Sequence, residues 1–378
     1  MPRNIALYIH VPFCRHKCPY CSFVSYDYRE ADIPLYLSAL NNELIRRAGG
    51  ECICSIYFGG GTPSLLSVKY TDDLISAISS LFALDESAEI TIEANPGTIN
   101  RGYLTAIREL GVNRLSLGVQ SLNDRELALL GRIHTASDAR EAVQQARGAG
   151  FANLSIDLIY GLPGQTLSDW QHTLEEAITM RPEHLSLYSL TLDEETPMGR
   201  AVNEGSLTEL DPDTSADQYE LAEDLLAAQG YIHYEISNWA IASRECRHNL
   251  AYWQNLPYLG VGVAAHSCLD GHRLANTKSL AKYLTDFSGK SLPVPELDEE
   301  ISPELELAET VILGLRLGEG IDLDDIHRRF GIDILVHYRQ QVQEMADAGL
   351  LEQTDRRIKL TRRGRLLSNE VFWRFLPE

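Results

Sequence analysis

Residues 8–23 read Tyr8-Ile-His-Val-Pro-Phe-Cys-Arg-His-Lys-Cys-Pro-Tyr-Cys-Ser-Phe23. An apolar, strand-like run breaks here into three close cysteines, Cys14, Cys18 and Cys21, spaced C-x3-C-x2-C. The chain holds an odd number of cysteines, seven, and three of them cluster, so the pattern points to a metal site rather than to disulfides. Iron–sulfur clusters ordinarily take four thiolates, and this set stops at three. A four-iron cluster on three thiolates keeps one iron open for a ligand, much as a catalytic zinc keeps its fourth position. A structural zinc with a distant fourth ligand is the competing use of the same spacing.

Outward from this loop, short apolar runs alternate with helical patterns. Strands are expected near 5–10, 53–58, 89–94, 114–120, 154–160 and 184–190, with helices near 34–48, 70–83, 100–110, 137–149 and 167–179. Strict alternation of this kind makes a parallel sheet. Successive strand residues point to opposite faces. One face is apolar (Ile5, Leu7, Ile9; Leu115, Leu117, Val119; Leu154, Ile156, Leu158), and the other is polar or small (Tyr8, His10; Ser116, Gly118, Gln120; Ser155, Asp157). A doubly wound sheet would be apolar on both faces, and the lumen of a closed eight-stranded barrel would be filled with branched apolar side chains. The expectation is therefore an α/β fold, an incomplete (β/α)6 TIM-like barrel with a polar lumen.

Unusual residues collect at the C-terminal strand ends, where β/α barrels carry function. The cysteine loop follows the first strand and Gly59-Gly-Gly-Thr-Pro63 follows the second. Glu93 closes the third before Asn95-Pro-Gly97, Gln120 ends the fourth, and Asp157 lies late in the fifth. One shared site explains this coincidence best. Glu93, Gln120, Arg132 and Asp157 are polar groups in or beside apolar elements, and burial without partners costs roughly 2–7 kcal/mol for an amide and more for a charge. They must meet a ligand or one another, Asp157 with Arg132 for example.

The totals set limits. The 378 residues exceed one ordinary core, and 44% hydrophobic with 23% charged residues describes a folded globular chain. A formal net charge of -21 disfavours nucleic acid as a partner. The N-terminus shows no secretory apolar region and no apolar run reaches membrane-span length. A cytoplasmic protein is expected, with peripheral membrane contact and a homodimer left open. Residues 1–195 are expected to form the partial barrel and 196–287 an extension that begins with an acidic loop at 193–213. Residues 288–300 read as a linker and 301–378 as a small α+β winged-helix-like domain. The last region carries 11 Lys or Arg against 18 Asp or Glu from residue 296 on, so a lid or protein-docking role suits it better than DNA binding. Its basic wing (Arg356, Arg357, Lys359, Arg362, Arg363, Arg365) could meet an acidic partner or anionic lipid.

The cysteine loop and the triple glycine, in this order on a partial barrel, resemble the radical S-adenosylmethionine enzymes over residues 5 to about 190. That resemblance implies a 4Fe-4S cluster on Cys14, Cys18 and Cys21, whose open iron takes S-adenosylmethionine for reductive cleavage. It also implies cofactor contacts from Tyr8, Tyr20, Gly60, Gly61, Thr62, Glu93, Gln120, Arg132 and Asp157. Glu93 would take the ribose hydroxyls and Tyr20 would shelter the adenine. The runs Tyr57-Phe-Gly-Gly-Gly-Thr-Pro-Ser64, Leu130-Gly-Arg-Ile-His134 and Asp157-Leu-Ile-Tyr-Gly-Leu-Pro-Gly-Gln165 resemble the oxygen-independent coproporphyrinogen III oxidase group. Oxidases of that group carry a fourth nearby cysteine where this chain has Phe23, and an N-terminal extension before the first strand. Both differences point away from decarboxylation. His248-Asn-Leu-Ala-Tyr-Trp253 instead matches the H-N-x-x-Y-W motif of the oxidase-like heme chaperones. The implication is that His248 ligates heme, with flat apolar support from Tyr252 and Trp253, for delivery to an apo-hemoprotein such as a membrane respiratory cytochrome. Cys246 is a weaker candidate for a second heme ligand. Coproporphyrinogen oxidation, or another radical reaction, is the alternative.

Overall fold

The computed structural model describes residues 3–289 and 291–377; Met1, Pro2, Lys290 and Glu378 lie outside the described residues. The six expected strands are β1 (Asn4–Val11), β2 (Cys52–Gly60), β3 (Ala83–Ala94), β4 (Arg114–Gln120), β5 (Leu154–Tyr160) and β6 (His184–Ser189). They pair in parallel in chain order, β1 with β2 through to β6. Five helices connect them: α1 (Ile33–Arg47), α2 (Val68–Leu81), α3 (Arg101–Glu109), α5 (Ala136–Gly148, after the short α4, Asp124–Leu129) and α6 (Leu167–Thr179). Their starts are written locally. Ser67 and Asn100 cap α2 and α3, while Thr135 with Asp138 and Thr166 with Asp169 form capping boxes on α5 and α6.

The apolar strand face packs under these helices in one continuous core that includes Leu7, Ile56, Ile92, Leu117, Ile156 and Leu185 against Leu40, Ile78, Ile107, Val143 and Leu174. A fully buried side chain of this size contributes roughly 1.5–3 kcal/mol. The opposite face curves round a lumen.

The two ends of the parallel sheet do not pair with each other; each is extended outward. After α7 (Pro197–Asn203) and α8 (Pro212–Ala228), β7 (Ile232–Glu235) and β8 (Asn238–Ala240) form a hairpin antiparallel to β6. The chain then crosses through α9 (Arg247–Trp253) to β9 (Tyr258–Val261), which pairs with β1. β10 (His266–Leu269), β11 (His272–Ala275), α10 (Leu280–Asp286) and β12 (Leu297–Glu300) follow, and the strands bring the sheet to twelve. The segment holding α9 therefore runs from one sheet edge to the other, under the N-terminal ends of the strands.

Two expectations need correction. The stretch 193–213 is not only loop: α7 forms within it, started by the Thr196 cap and Pro197. The stretch 288–300 is not only linker, because Leu297–Glu300 pairs with β11, including Glu299 with Arg273. Its alternating charges read as loop but suit a solvated edge strand.

Beyond it, α11 (Pro303–Leu315), β13 (Ile321–Asp322), α12 (Leu323–Phe330), α13 (Ile334–His337), α14 (Arg339–Asp347), β14 (Leu351–Gln353), β15 (Arg357–Leu360), α15 (Arg362–Leu366) and α16 (Ser368–Phe372) surround a second core. The three strands form their own antiparallel sheet, as in a winged helix. Among the described residues, no helix is long and apolar enough to cross a membrane.

Candidate functional site

A cavity of about 390 Å³ fills the lumen, within the size range of small-molecule sites. Its rim holds Cys14, Cys18 and Cys21, all free and half-buried. A polar chain ties them down. Arg132 donates to Cys18 Sγ at 3.5 Å, to Gly118 O at 2.8 Å and to Asn95; Asn95 donates to Thr62 Oγ1 at 2.9 Å; Thr62 donates to Cys14 Sγ at 3.6 Å. Burial pushes the Cys14 and Cys21 thiols up. No three His, Cys, Asp or Glu side chains among the described residues converge on a point suited to a single ion.

The loop is pinned from below and beside. His10 meets Val24 O at 2.8 Å through Nε2 and Tyr8 Oη at 3.1 Å through Nδ1. Burial lowers its pKa, so it is a neutral clamp. Gly60 has φ +109°, and a Cβ there would lie 2.5 Å from the His10 ring. On the outer side, Met198 N donates to Pro19 O at 2.9 Å, which makes α7 part of the loop's support.

Below the cysteines, Glu93 accepts from Tyr57 Oη at 2.9 Å and from Gly60 N at 3.1 Å. Burial pushes its carboxyl up to about 7, with Asp157 adding to the rise. Asp157 is also raised by burial, and accepts from Ser116 at 3.0 Å and Ser155 at 3.0 Å. The pairing of Asp157 with Arg132 is not observed, since Arg132 serves Asn95, Gly118 and Cys18. Gln120 has φ +69° beside a register shift at the end of β4. A bulge re-aims a strand-end side chain, and left-handed backbone at a non-glycine residue is strain characteristic of binding sites.

The structure thus brings Tyr20, Gly60, Gly61, Thr62, Glu93, Gln120, Arg132 and Asp157 to one cavity with the three cysteines. Tyr8 and His248 are absent from that lining. Tyr8 is inward but stacks against Tyr57, ring centroids 6.3 Å apart. His248 is 1% exposed and its imidazole is fully engaged, Nδ1 with Ser55 Oγ at 3.0 Å and Nε2 with Tyr252 Oη at 2.9 Å. Burial, with the charge of Arg114, lowers it to about 3. The segment around it is fixed to β3, where Glu89 Oε1 accepts from His248 N at 3.2 Å and Cys246 Sγ at 3.5 Å. Cys246 is likewise buried, its thiol pushed up to about 12. Of the H-N-x-x-Y-W motif, only Asn249 reaches the cavity. Ser55 lies five residues before the Gly60 rim, so the motif sits roughly 15 Å below the cysteine end along the strand.

Sequence reading placed Asn95 on the rim but missed Tyr57, Arg114, Ser186, Tyr188 and Asn249 as lining residues. Arg114, Ser186 and Tyr188 have inward parity, and that parity was the available signal. The residues present fit a cluster on the three cysteines and a nucleoside-bearing cofactor below it.

A family model described as the radical SAM superfamily matches residues 8–177, and one described as the HemN C-terminal domain matches 301–367. The heme chaperone HemW of Bacillus subtilis is 35% identical over 375 residues, 98% of this chain and 99% of that protein. The chain belongs to the HemW family. HemW of Escherichia coli K12 agrees, 35% identical over 387 residues that cover 99% of this chain and 98% of that one. Among solved structures, coproporphyrinogen III oxidase HemN of Escherichia coli, a radical SAM enzyme, superposes with a TM-score of 0.86 at 25% identity over 99% of this chain and 90% of HemN. The HemW assignment and the HemN likeness together account for the barrel, its rim and the C-terminal domain in one architecture.

Proposed function

We propose that this chain binds heme and delivers it to apo-hemoproteins, membrane respiratory cytochromes among them, from the cytoplasm. The observation that carries the reading is end-to-end similarity to HemW heme chaperones combined with the His248–Trp253 motif of this chain. In this reading Cys14, Cys18 and Cys21 hold a 4Fe-4S cluster. Tyr20, Gly60, Gly61, Thr62, Glu93, Gln120, Arg132 and Asp157 hold S-adenosylmethionine, and Tyr8 supports the site from behind Tyr57. When bound, that pair supplies one-electron chemistry. The chain's own contribution is positional: Arg132 and Thr62 orient the thiolates, Glu93 and Asp157 offer acceptors, and Gly60 lets the ligand approach the backbone.

Heme ligation by His248 needs α9 to open, because both imidazole nitrogens are bonded in the closed chain. The helix is short, seven residues, so the opening unit is small. Breaking the two imidazole hydrogen bonds costs about 1–3 kcal/mol, and full opening also releases His248 N and Cys246 Sγ from Glu89. The test is an anaerobic heme titration of the cluster-loaded chain, followed by the Soret band, for wild type and His248→Ala. One heme bound per wild-type chain, lost or spectrally shifted in the variant, supports the reading. Equal spectra remove His248 as ligand, and no binding by either removes the chaperone function.

The HemN superposition favours a second reading, oxidative decarboxylation of coproporphyrinogen III. Phe23, 67% exposed at the cavity mouth, stands where those oxidases carry a cysteine. Anaerobic incubation with coproporphyrinogen III, S-adenosylmethionine and reductant decides it; protoporphyrinogen formation would overturn the purely chaperone reading.

A further inference from the structure

The floor of the lumen holds a feature that the cluster and cofactor reading does not use. Arg114 opens β4 with inward parity and is 1% exposed, yet lines the cavity. Its Nε and Nη1 are covered and have no hydrogen-bond partner, and no carboxylate among the described residues lies within ion-pair distance of its guanidinium. The charge remains: burial disfavours it, but the net shift is upward, Cys246 and Glu89 being the largest opposing influences. A guanidinium presents five N–H donors in a planar fork matched to a carboxylate. A buried charge without a partner is among the costliest features a fold can carry.

The surrounding groups explain why no internal carboxylate completes the fork. Glu89 is committed to the α9 segment through His248 N and Cys246 Sγ. Glu93 is held by Tyr57 and Gly60, and Asp157 by Ser116 and Ser155. From β6, His184 is neutral and bonded to Ser155 and Tyr234. Across the floor, Asn249 of the crossing segment and Ser186 line the same cavity. Ser186 is itself engaged with Ser155 and Asp157, so at the floor the Arg114 guanidinium is the charged group left without a partner among the described residues, with Asn249 beside it.

We propose that Arg114, with Asn249 beside it, forms an anion subsite on the lumen floor that takes a carboxylate arm of a ligand other than S-adenosylmethionine. The carboxylate belongs either to a large ligand reaching in from the mouth, such as a tetrapyrrole side chain, or to a short free organic acid. The arm would pair with the edge of the guanidinium that the protein does not cover, and Asn249 would couple its binding to the segment that carries His248.

The test uses the full chain, cluster-loaded, anaerobic and saturated with S-adenosylmethionine. Metal-free protoporphyrin IX and its dimethyl ester are titrated by fluorescence quenching into wild type, Arg114→Met and Arg114→Lys. Succinate is titrated in parallel by thermal shift. The expected result is that the free acid binds wild type, about tenfold more weakly to Arg114→Met and with intermediate affinity to Arg114→Lys, while the ester binds poorly to all three. Unliganded Arg114→Met should melt no lower than wild type, because it removes an unpaired buried charge rather than an ion pair. If succinate stabilises wild type but not Arg114→Met, and the porphyrin does not bind, the subsite stands and its ligand is a short acid. Equal binding by wild type and Arg114→Met, or binding of neither probe, overturns the proposal. So does Arg114→Met melting far below wild type, the behaviour of an internal structural charge. None of these probes contains iron, so failure of heme ligation by His248 would leave the result unchanged, and the two readings fail separately.

Discussion

Single side chains in the lumen are held away from their ordinary ionisation states, and this has measurable consequences. Glu93 is the clearest case, its carboxyl pushed from 4.5 to about 7 by burial. A carboxyl raised on folding contributes stability that is present below its unfolded value and lost as pH rises through its folded value. In the cofactor-free chain, Glu93→Gln should therefore gain on wild type between about pH 4.5 and 7, with a constant difference above. The gain should be on the order of 1–2 kcal/mol, because the carboxyl faces an open cavity. Thermal melts across that range check it, and a pH-independent difference would remove Glu93 as the cause. The buried histidines act in the opposite sense. His134 is lowered to about 4 and His248 to about 3, so their contribution is full above the unfolded value near 6.5 and lost as pH falls. His10 matters through geometry. His10→Ala removes the clamp on Val24 and Tyr8, at a cost of about 1–3 kcal/mol. The reconstituted cluster should then yield to a chelator several-fold faster than in wild type, as the decay of its visible absorbance would show.

At the scale of elements, α9 is the part that the proposed heme ligation requires to move. It crosses the barrel floor between the two sheet edges and buries His248 and Ala251. Its outer end is held by the C-terminal domain, where Arg316, following α11, lies 4.2 Å over the Trp253 ring. Arg316 also stands 3.5 Å from Glu235 of β7, a fully buried carboxylate. Removing the guanidinium forfeits a cation–π contact worth about 1–2 kcal/mol when desolvated and strands Glu235. Arg316→Met should thus speed amide exchange across 247–253 and raise the rate of heme binding, without changing the Soret spectrum of the final complex. Unchanged exchange in α9 would show that the C-terminal domain does not hold it. The same argument explains why the heme motif could be read in the sequence while its burial could not. Spacing places His248 and Tyr252 on one helical face, but the Ser55 partner lies 193 positions away.

For the whole molecule, charge decides how the C-terminal domain is used. The basic wing read from the sequence as a surface for lipid or an acidic partner is largely neutralised within the chain. Arg356 pairs with Asp324, Arg357 with Glu319, Lys359 with Glu352, Arg362 with Asp224 and Glu223, and Arg365 with Glu223. Two of these carboxylates, Glu223 and Asp224, belong to α8 of the barrel extension, so Arg362 and Arg365 face the chain's own barrel extension. With a net charge of -21, the chain should not be retained on anionic phospholipid vesicles at physiological salt in a flotation assay. Retention that falls with added salt would show that the wing is free. Glu223 is the hub of this contact, 8% exposed and facing both Arg362 and Arg365. Glu223→Ala removes the carboxylate that Arg365 faces and one of the two that hold Arg362, which keeps Asp224, and should lower the melting temperature by a few degrees, more than an isolated surface pair would.

The sequence by itself determined the strand order, the polar inner face and the rim that carries the cysteines, glycines, Glu93, Gln120 and Asp157. Those features depend on local periodicity and on which end of a strand a residue occupies, and both are written in neighbouring positions. Tertiary structure alone decided that Tyr8 stands behind Tyr57, that Arg132 serves the cysteines rather than Asp157, that the His248–Trp253 segment forms the floor, and that Arg114 is left without a partner. Each of these depends on contacts between groups far apart in the chain, where hydrogen-bond capacity is shared among several candidates and only packing settles which pairs form.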